Sequence, residues 1–171
     1  MLRAFGAICI LTGASTVGFG CAAGVRRQTR QLAELCRSLE MMQSEIEYRM
    51  TPLPQLLQQL STGCQTAVGE LLLRWAQILS QPDGATVSYA FRRALGSAHS
   101  LALSRQSVQE LGALALSLGR FDAAGQARSI AASCARLRQE LSFLEAEKRA
   151  RCRSYCTIGV CAGLALAVIL L

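Results

Sequence analysis

The stretch IAASCARLRQELSFL, residues 130–144, decides the fold because its apolar residues recur at the period of a helix. The intervals between them are four, three, four and three residues, which is the spacing of a seam along one helix face. A similar seam lies near the start of the chain, over residues 32–46. The two sets of apolar residues are Ile130, Cys134, Leu137, Leu141 and Leu144, and Leu32, Leu35, Leu39, Met42 and Ile46. They predict two long helices that pack against each other.

Each seam continues into an uncharged apolar segment. One segment precedes its seam at residues 4–25, the other follows its seam at residues 155–171, and neither contains a charged residue. A helix over 155–171 would be about 25 Å long, and local thinning would let it cross a hydrocarbon core of about 30 Å. We therefore predict transmembrane helices at 4–25 and 155–171 that enclose a helical domain at 26–154. Because one seam leaves the membrane and the other returns to it, the two should pack antiparallel.

Basic residues next to these segments orient the chain in the membrane. Arg26, Arg27 and Arg30 follow the first segment, and a second basic group, which begins at Lys148, precedes the other. Lys and Arg accumulate on the cytoplasmic side of membrane proteins, so the domain at 26–154 is predicted to face the cytoplasm from the cell membrane. The flanks also explain part of the net charge of +7, which therefore does not require nucleic acid as a partner.

A cleaved signal peptide is the alternative reading of the first segment. The start is basic at Arg3, an apolar stretch follows, and small residues surround Cys21. The cysteines favour a reducing compartment instead, because four of the eight lie in the apolar segments and no C-x-x-C pair is present. Within the first segment, Gly20 and Gly24 have the spacing that lets two membrane helices approach closely, and we interpret them as candidates for helix packing.

Turn and cap residues divide the domain into several helices. Thr51-Pro52-Leu53-Pro54 is predicted to end one helix and begin the next, with Thr51 as the N-cap. The stretch 80–84, SQPDG, predicts a second break, and residues 107–110, SVQE, form a candidate capping box. Asp122 is a plausible N-cap for the last helix. Since strand patterns are absent, the prediction is an all-α antiparallel bundle of about six helices.

A search for catalytic or metal-binding motifs gives nothing specific. The sequence has no P-loop, no G-x-S-x-G and no pair of histidines at metal-ligand spacing, so no cofactor is predicted. The one histidine, His99, is interpreted as a surface or helix-end residue. Arg92 and Arg93 are interpreted as a solvated face, with contact to an acidic partner as the alternative.

The order of several short stretches resembles that of a known family. These stretches are STVGF at 15–19, TPLP at 51–54 and LGRFDAAGQARSI at 118–130, the last leading through a charged helix into the apolar tail. In order, length and topology the whole chain resembles the stage III sporulation protein AB family. The family often has Trp at the position of Phe91 and an acidic cap at the position of Ser104, so the sequence departs from the pattern at these two residues.

The resemblance implies a function without an active site. It implies a component of the channel between mother cell and forespore that endospore formation requires, on the mother-cell side of the outer forespore membrane. It also implies a likeness to the helical platform proteins of type II secretion and type IV pilus machines, and an ATPase partner, stage III sporulation protein AA. Within 118–130, Gly119 would permit a turn, Asp122 would cap the last helix and Gln126 would be polar on its first turns, or these three residues would form part of a partner contact.

The competing class is a membrane-anchored enzyme or sensor whose site has no recognisable motif. Such a protein would need a concave pocket with convergent polar groups and titratable residues of perturbed pKa. The sparse His, Asp and Glu content argues against it. An exposed charged or apolar patch would favour the scaffold.

Overall fold

The structure is a computed structural model of the 171-residue chain. It describes the backbone of residues 2–49, 51–82, 84–118 and 122–170, and the side chains of 24–49, 51–82, 84–118, 122 and 124–147. These parts of the chain form six α-helices and no β-strand, which confirms the predicted all-α class. The helices are α1 (Leu2–Tyr48), α2 (Leu53–Thr62), α3 (Ala67–Leu79), α4 (Val87–Ser97), α5 (Arg105–Ser117) and α6 (Ala123–Leu170).

The chain divides into two compact units. One comprises residues 28–141, and the other comprises Met1–Arg27 together with Ser142–Leu171. Helices α1 and α6 are 47 and 48 residues long, so each seam shares one continuous helix with its apolar segment, as predicted. Among the described side chains, no helix combines the length and the apolar character needed to cross a membrane. The segments 4–25 and 155–171 lie almost wholly outside those side chains, and their transmembrane role stays a prediction.

The α1 seam and the first three residues of the α6 seam are buried in the core of unit 28–141. All five apolar residues of the α1 seam are buried, and so are Ile130, Cys134 and Leu137 of the α6 seam. Leu141 and Leu144 are only half-buried, because the compact unit ends at Leu141. Full burial of one such side chain stabilises the fold by about 1.5–3 kcal/mol, so the seams are a main source of stability for this unit.

Polar contacts show that α5 and α6 run antiparallel. Ser107 Oγ donates to Glu140 Oε2 at 2.8 Å, and one turn further along α5 Arg136 Nη1 donates to Glu110 Oε2 at 3.0 Å. The residue number rises along α5 between these two contacts and falls along α6. The two helices therefore have opposite directions.

Helix α1 is held in the same bundle and has the direction of α5. Its Gln31 bonds to Ala102, just before α5 begins, while Glu40, further along α1, forms an ion pair with Arg138 of α6. The early part of α1 thus lies beside the start of α5, where Glu140 of α6 is also bound. Helices α1 and α6 are therefore antiparallel within unit 28–141, as the seams predict.

The predicted N-cap of the second helix is wrong by one residue. Pro52, not Thr51, occupies the N-cap position of α2, and it is extended with φ −56° and ψ 133°. Thr51 instead donates from Oγ1 to Glu45 Oε2 at 3.3 Å. The proline ring fixes the backbone directly before the helix, which moves the start to Leu53.

The predicted capping box at 107–110 is also wrong, because α5 begins earlier. Ser104 is the N-cap, and its Oγ accepts a hydrogen bond from the Ser107 N–H at 2.9 Å. Ser107 consequently lies inside the first turn, fully buried, where it bonds to α6. At Ser104 a neutral hydroxyl thus satisfies one of the unpaired N–H groups at the start of α5.

Candidate partner-binding surface

Helix α4 is fixed against α3 by an aromatic pair. Trp75 and Phe91 are both buried, with their ring centroids 5.1 Å apart in an edge-to-face arrangement. The Trp75 Nε1–H also donates to the carbonyl oxygen of Val87 at 3.1 Å, which satisfies the one polar atom of the indole. Thr86 caps the helix by accepting from the Tyr89 N–H. The opposite side of α4 is thereby presented to solvent in a fixed orientation.

That exposed side carries the two arginines that the sequence singles out. Arg92 and Arg93 are both exposed. Arg93 Nη1 donates to Tyr89 Oη at 3.2 Å, and Tyr89 itself is 49% exposed. This bond orients the Arg93 guanidinium along the helix surface and leaves most of its N–H groups available to another molecule.

A groove of about 350 Å³ lies between α3 and the end of α4. Its lining residues are Glu70, Leu73, Arg74, Gln77, Ser97 and Ala98. Ser97 is four residues after Arg93, which is four residues after Tyr89, so these three residues form one row along α4. The row reaches the groove at Ser97, which makes the groove and the Tyr89–Arg93 pair one continuous surface.

The groove lining holds one arginine and one carboxylate, Arg74 and Glu70, and the excess positive charge comes from the exposed Arg92 and Arg93 on α4 beside it. The ion pairs among the described residues join Arg49 to Glu45, Arg136 to Glu110 and Arg138 to Glu40. Arg74, Arg92 and Arg93 form no ion pair in that part of the chain. The one carboxylate in the lining, Glu70, accepts a hydrogen bond from Ser100 Oγ at 3.4 Å. The surface therefore offers guanidinium groups to an anionic partner.

The segment that follows α4 is tied down by a buried glutamine of α1. Gln31 Oε1 accepts from the Ala102 N–H at 2.6 Å, and its Nε2 donates to the Ser100 carbonyl oxygen at 3.3 Å. Both ends of this side-chain amide are satisfied, and Gln31 is only 2% exposed. The segment at 98–104 therefore holds the Glu70 end of the groove in place.

The start of α3 is held by a carboxylate from α1. Glu34 accepts hydrogen bonds from the backbone N–H groups of Gln65 and Thr66 and from the Thr66 hydroxyl. Arg30 Nη2 in turn donates to the Gln65 side-chain oxygen at 3.1 Å. A negative charge at a helix N-terminus is favourable, so Glu34 fixes α3 to the long helix and thereby positions one wall of the groove.

The described cysteines are packing residues rather than candidate nucleophiles. The pKa values of Cys36 and Cys134 are raised to about 11, chiefly by burial; the nearby charge of Glu40 contributes to the rise and that of Arg138 opposes it. Burial also raises the pKa of Cys64. Thiols with raised pKa values stay protonated near neutral pH and react poorly. None of these three residues lines the groove.

The predicted residues at the start of the last helix have separate positions. Asp122 is exposed, and its Oδ1 accepts from the Gly125 N–H at 3.0 Å, which is the cap that the sequence predicts. Gln126 is half-buried in the first turns of α6, and its N–H donates to the Asp122 carbonyl oxygen at 2.9 Å. Gly119 lies outside the described residues. Neither Asp122 nor Gln126 lines the groove, and the role of all three residues in a partner contact stays a prediction.

The remaining candidates are Gly20, Gly24 and His99; of these, His99 directly follows the lining residue Ala98 in sequence. Gly20 lies outside the described side chains; Gly24 is exposed, and a Cβ added there would meet no atom within 4 Å. Their packing against another membrane helix stays a prediction. His99 is exposed in the segment after α4. Among the side chains that the structure describes, no three His, Cys, Asp or Glu residues are grouped so that they could hold a metal ion.

Sequence reasoning missed four residues that make or support the surface. Arg74 and Tyr89 contribute to it directly, while Gln31 and Glu34 position its walls. The four-residue step from Tyr89 through Arg93 to Ser97 is visible in the sequence and indicates one helix face. The approach of Arg74 to that face depends on how α3 and α4 pack, which no local spacing encodes.

Fold and groove together define a class: all-α bundle proteins whose first and last helices are long, with exposed arginines beside a groove. A solved structure described as stage III sporulation protein AB is similar to this chain, with a TM-score of 0.67 and 22% sequence identity over 72% of this chain and 98% of that chain. This likeness shows the fold. A comparison with curated proteins gives no match.

The family model for stage III sporulation protein AB matches residues 3–171. The chain therefore belongs to the stage III sporulation protein AB family, as the sequence resemblance predicts. It is a sporulation-related protein with a helical-bundle fold.

Proposed function

We propose that the chain is a non-enzymatic platform of the channel complex that endospore formation requires between mother cell and forespore. Transmembrane helices at 4–25 and 155–171 hold it in the outer forespore membrane, with the domain at 26–154 in the mother-cell cytoplasm. The domain binds the ATPase of the complex, stage III sporulation protein AA. Membership in the family supports the sporulation role, and the particular partner is the proposal.

The observation that carries this proposal is the exposed basic surface on a rigid support. Arg74, Arg92 and Arg93 lie on two helices whose contact is fixed by the Trp75–Phe91 pair. A fixed set of unpaired charges accelerates association with a partner of opposite charge and favours one docking orientation. This is what a platform needs to recruit a soluble ATPase to a membrane.

Binding and turnover measured together test the proposal. The full chain, reconstituted in nanodiscs of neutral lipid, is titrated with the purified ATPase in the presence of nucleotide, while nucleotide hydrolysis is followed in the same samples. We expect saturable association and no hydrolysis by the nanodisc-bound chain alone. Absence of association under these conditions would contradict the platform function. Hydrolysis by the chain alone would support the membrane-anchored enzyme instead.

A further inference from the structure

We propose that the groove between α3 and α4 binds an acidic protein segment, and that the groove charges set the direction in which this segment lies. The inference rests on the proposed platform function and names the part of the domain that meets the partner. Arg74 and Arg93 pair with carboxylates of the segment, and Leu73 contacts an apolar side chain next to them.

The two ends of the groove differ in charge. Ser100 contacts Glu70 at one end, where α3 begins and α4 ends, so this end carries a carboxylate, while the opposed dipoles of the two helices add no net charge to it. Gln77 is seven residues further along α3, or roughly 10 Å. Arg93 lies one turn back along α4 and thus toward the Gln77 end. The groove is negative at the end of α4 and positive toward Arg93.

This charge order specifies the partner more narrowly than a basic patch would. A segment that places Asp or Glu beside Arg93 and Arg74 must place a neutral or basic residue beside Glu70. A carboxylate at the Glu70 end would be repelled. The guanidinium of Arg93 is already oriented by Tyr89, so it can meet a carboxylate with two parallel N–H groups at little further ordering cost.

The shape of the surface favours a protein segment over a lipid surface. Anionic headgroups would also meet the Arg cluster, but they would bring negative charge to Glu70 at the same time. A recess of about 350 Å³ between two helices has room for side chains, and Leu73, which is 38% exposed, supplies an apolar contact within it. A flat headgroup layer uses neither feature.

Charge reversal in the groove tests the proposal. The double variant Arg74→Glu/Arg93→Glu and the control Arg37→Glu, which changes an exposed arginine of α1, are each made in the full chain in neutral-lipid nanodiscs. Binding of the purified stage III sporulation protein AA ATPase is measured across a range of salt concentrations. Circular dichroism and Trp75 fluorescence check that each variant is folded.

We expect the double variant to weaken binding by at least ~10-fold, mostly through a slower association rate, and to reduce its salt dependence. The control should stay within about threefold of the unmodified chain, as expected for a charge outside the interface. Glu70→Gln should bind acidic partners more tightly, because it removes the repulsive carboxylate.

The outcomes separate this inference from the proposed function. If the unmodified chain binds the ATPase and the folded double variant binds equally well, the platform stands and the groove assignment is overturned. Each protein is also mixed with vesicles that contain anionic lipid; if the double variant loses binding to these vesicles but binds the ATPase as the unmodified chain does, the ligand is a lipid surface and the protein-segment proposal is overturned. If the unmodified chain does not bind the ATPase, the proposed function fails and this inference fails with it.

Discussion

Burial changes sharply between neighbouring positions of the α6 seam. Leu137 is 0% exposed, whereas Leu141, one turn further, is half-buried at the edge of the compact unit. We expect Leu137→Ala to lower the free energy of unfolding by about 2–5 kcal/mol, the usual cost of a cavity in a packed core. Leu141→Ala should cost clearly less. Urea unfolding followed by the fluorescence of Trp75, the single tryptophan, measures both. Equal costs would show that the core extends past Leu141.

The buried thiols of Cys36 and Cys134 make stability depend on alkaline pH. Each pKa rises on folding from the ordinary value of 9.0 to about 11, chiefly because burial disfavours the thiolate. Above pH 9 the unfolded chain therefore loses protons that the folded chain retains. The stabilisation is fully present below pH 9 and declines toward pH 11, with a slope of up to about 1.4 kcal/mol per pH unit for each thiol.

The double variant Cys36→Ala/Cys134→Ala tests this dependence. Its unfolding free energy should decline less steeply between pH 9 and pH 11 than that of the unmodified chain, again measured by Trp75 fluorescence in urea. Identical slopes would mean that the thiols ionise in the folded protein as they do in the unfolded chain.

At the scale of elements, the contact between α2 and α3 depends on one glycine. A Cβ on Gly69 would lie 3.0 Å from Cys64 Cβ and 3.1 Å from the Ser61 carbonyl oxygen, so Cys64 and the backbone of Ser61 would have to shift to make room for it. We expect Gly69→Ala to destabilise the domain by about 1–3 kcal/mol through overpacking. Thermal unfolding by circular dichroism measures the change.

Gly96 of α4 is the matched control for this substitution. A Cβ there would meet no atom within 4 Å, so Gly96→Ala should gain helix propensity of up to about 1 kcal/mol without a clash. If both substitutions have the same sign, the close approach of α2 and α3 at Gly69 is not as described.

The long elements of this fold could be predicted from the sequence, whereas two helix starts could not. Residues 32–46 and 130–144 repeat their apolar positions over four turns, and such a long pattern overrides local ambiguity. Thr51 and Ser107 were each plausible caps by residue type. Pro52 and Ser104 are the N-caps instead. The ring of Pro52 restricts the backbone directly before α2, and Ser107 lies inside α5, where it bonds to Glu140 of α6, a tertiary contact that the local sequence does not contain.

The candidate surface could be predicted only in part for a similar reason. Arg92 and Arg93 are adjacent in sequence and polar, so a solvated basic face was predictable. Arg74 joins them only through the packing of α3 on α4, and Glu70 sets the charge order only through the segment that Gln31 holds. Contacts between distant parts of a chain determine such a surface, and the spacing within one helix does not contain them.

For the whole molecule, the predicted topology places the domain in the cytoplasm. Gln59 is exposed on α2. In a variant from which the eight native cysteines have been removed, Gln59→Cys provides a single labelling site. We expect an impermeant thiol reagent to leave Gln59→Cys unlabelled in intact protoplasts and to label it after lysis, because the basic flanks retain the domain inside. Labelling before lysis would contradict the arrangement with two membrane segments.

Photocrosslinking in sporulating cells tests the proposed platform most directly. A photoreactive amino acid replaces Gln77 in the groove or, as the control, Gln59 on α2; both positions are exposed. We predict that the Gln77 position forms an adduct with the stage III sporulation protein AA ATPase and that the Gln59 position does not. An adduct with the ATPase from Gln59 alone, or from neither position, would contradict a platform that recruits the ATPase through the surface of α3 and α4.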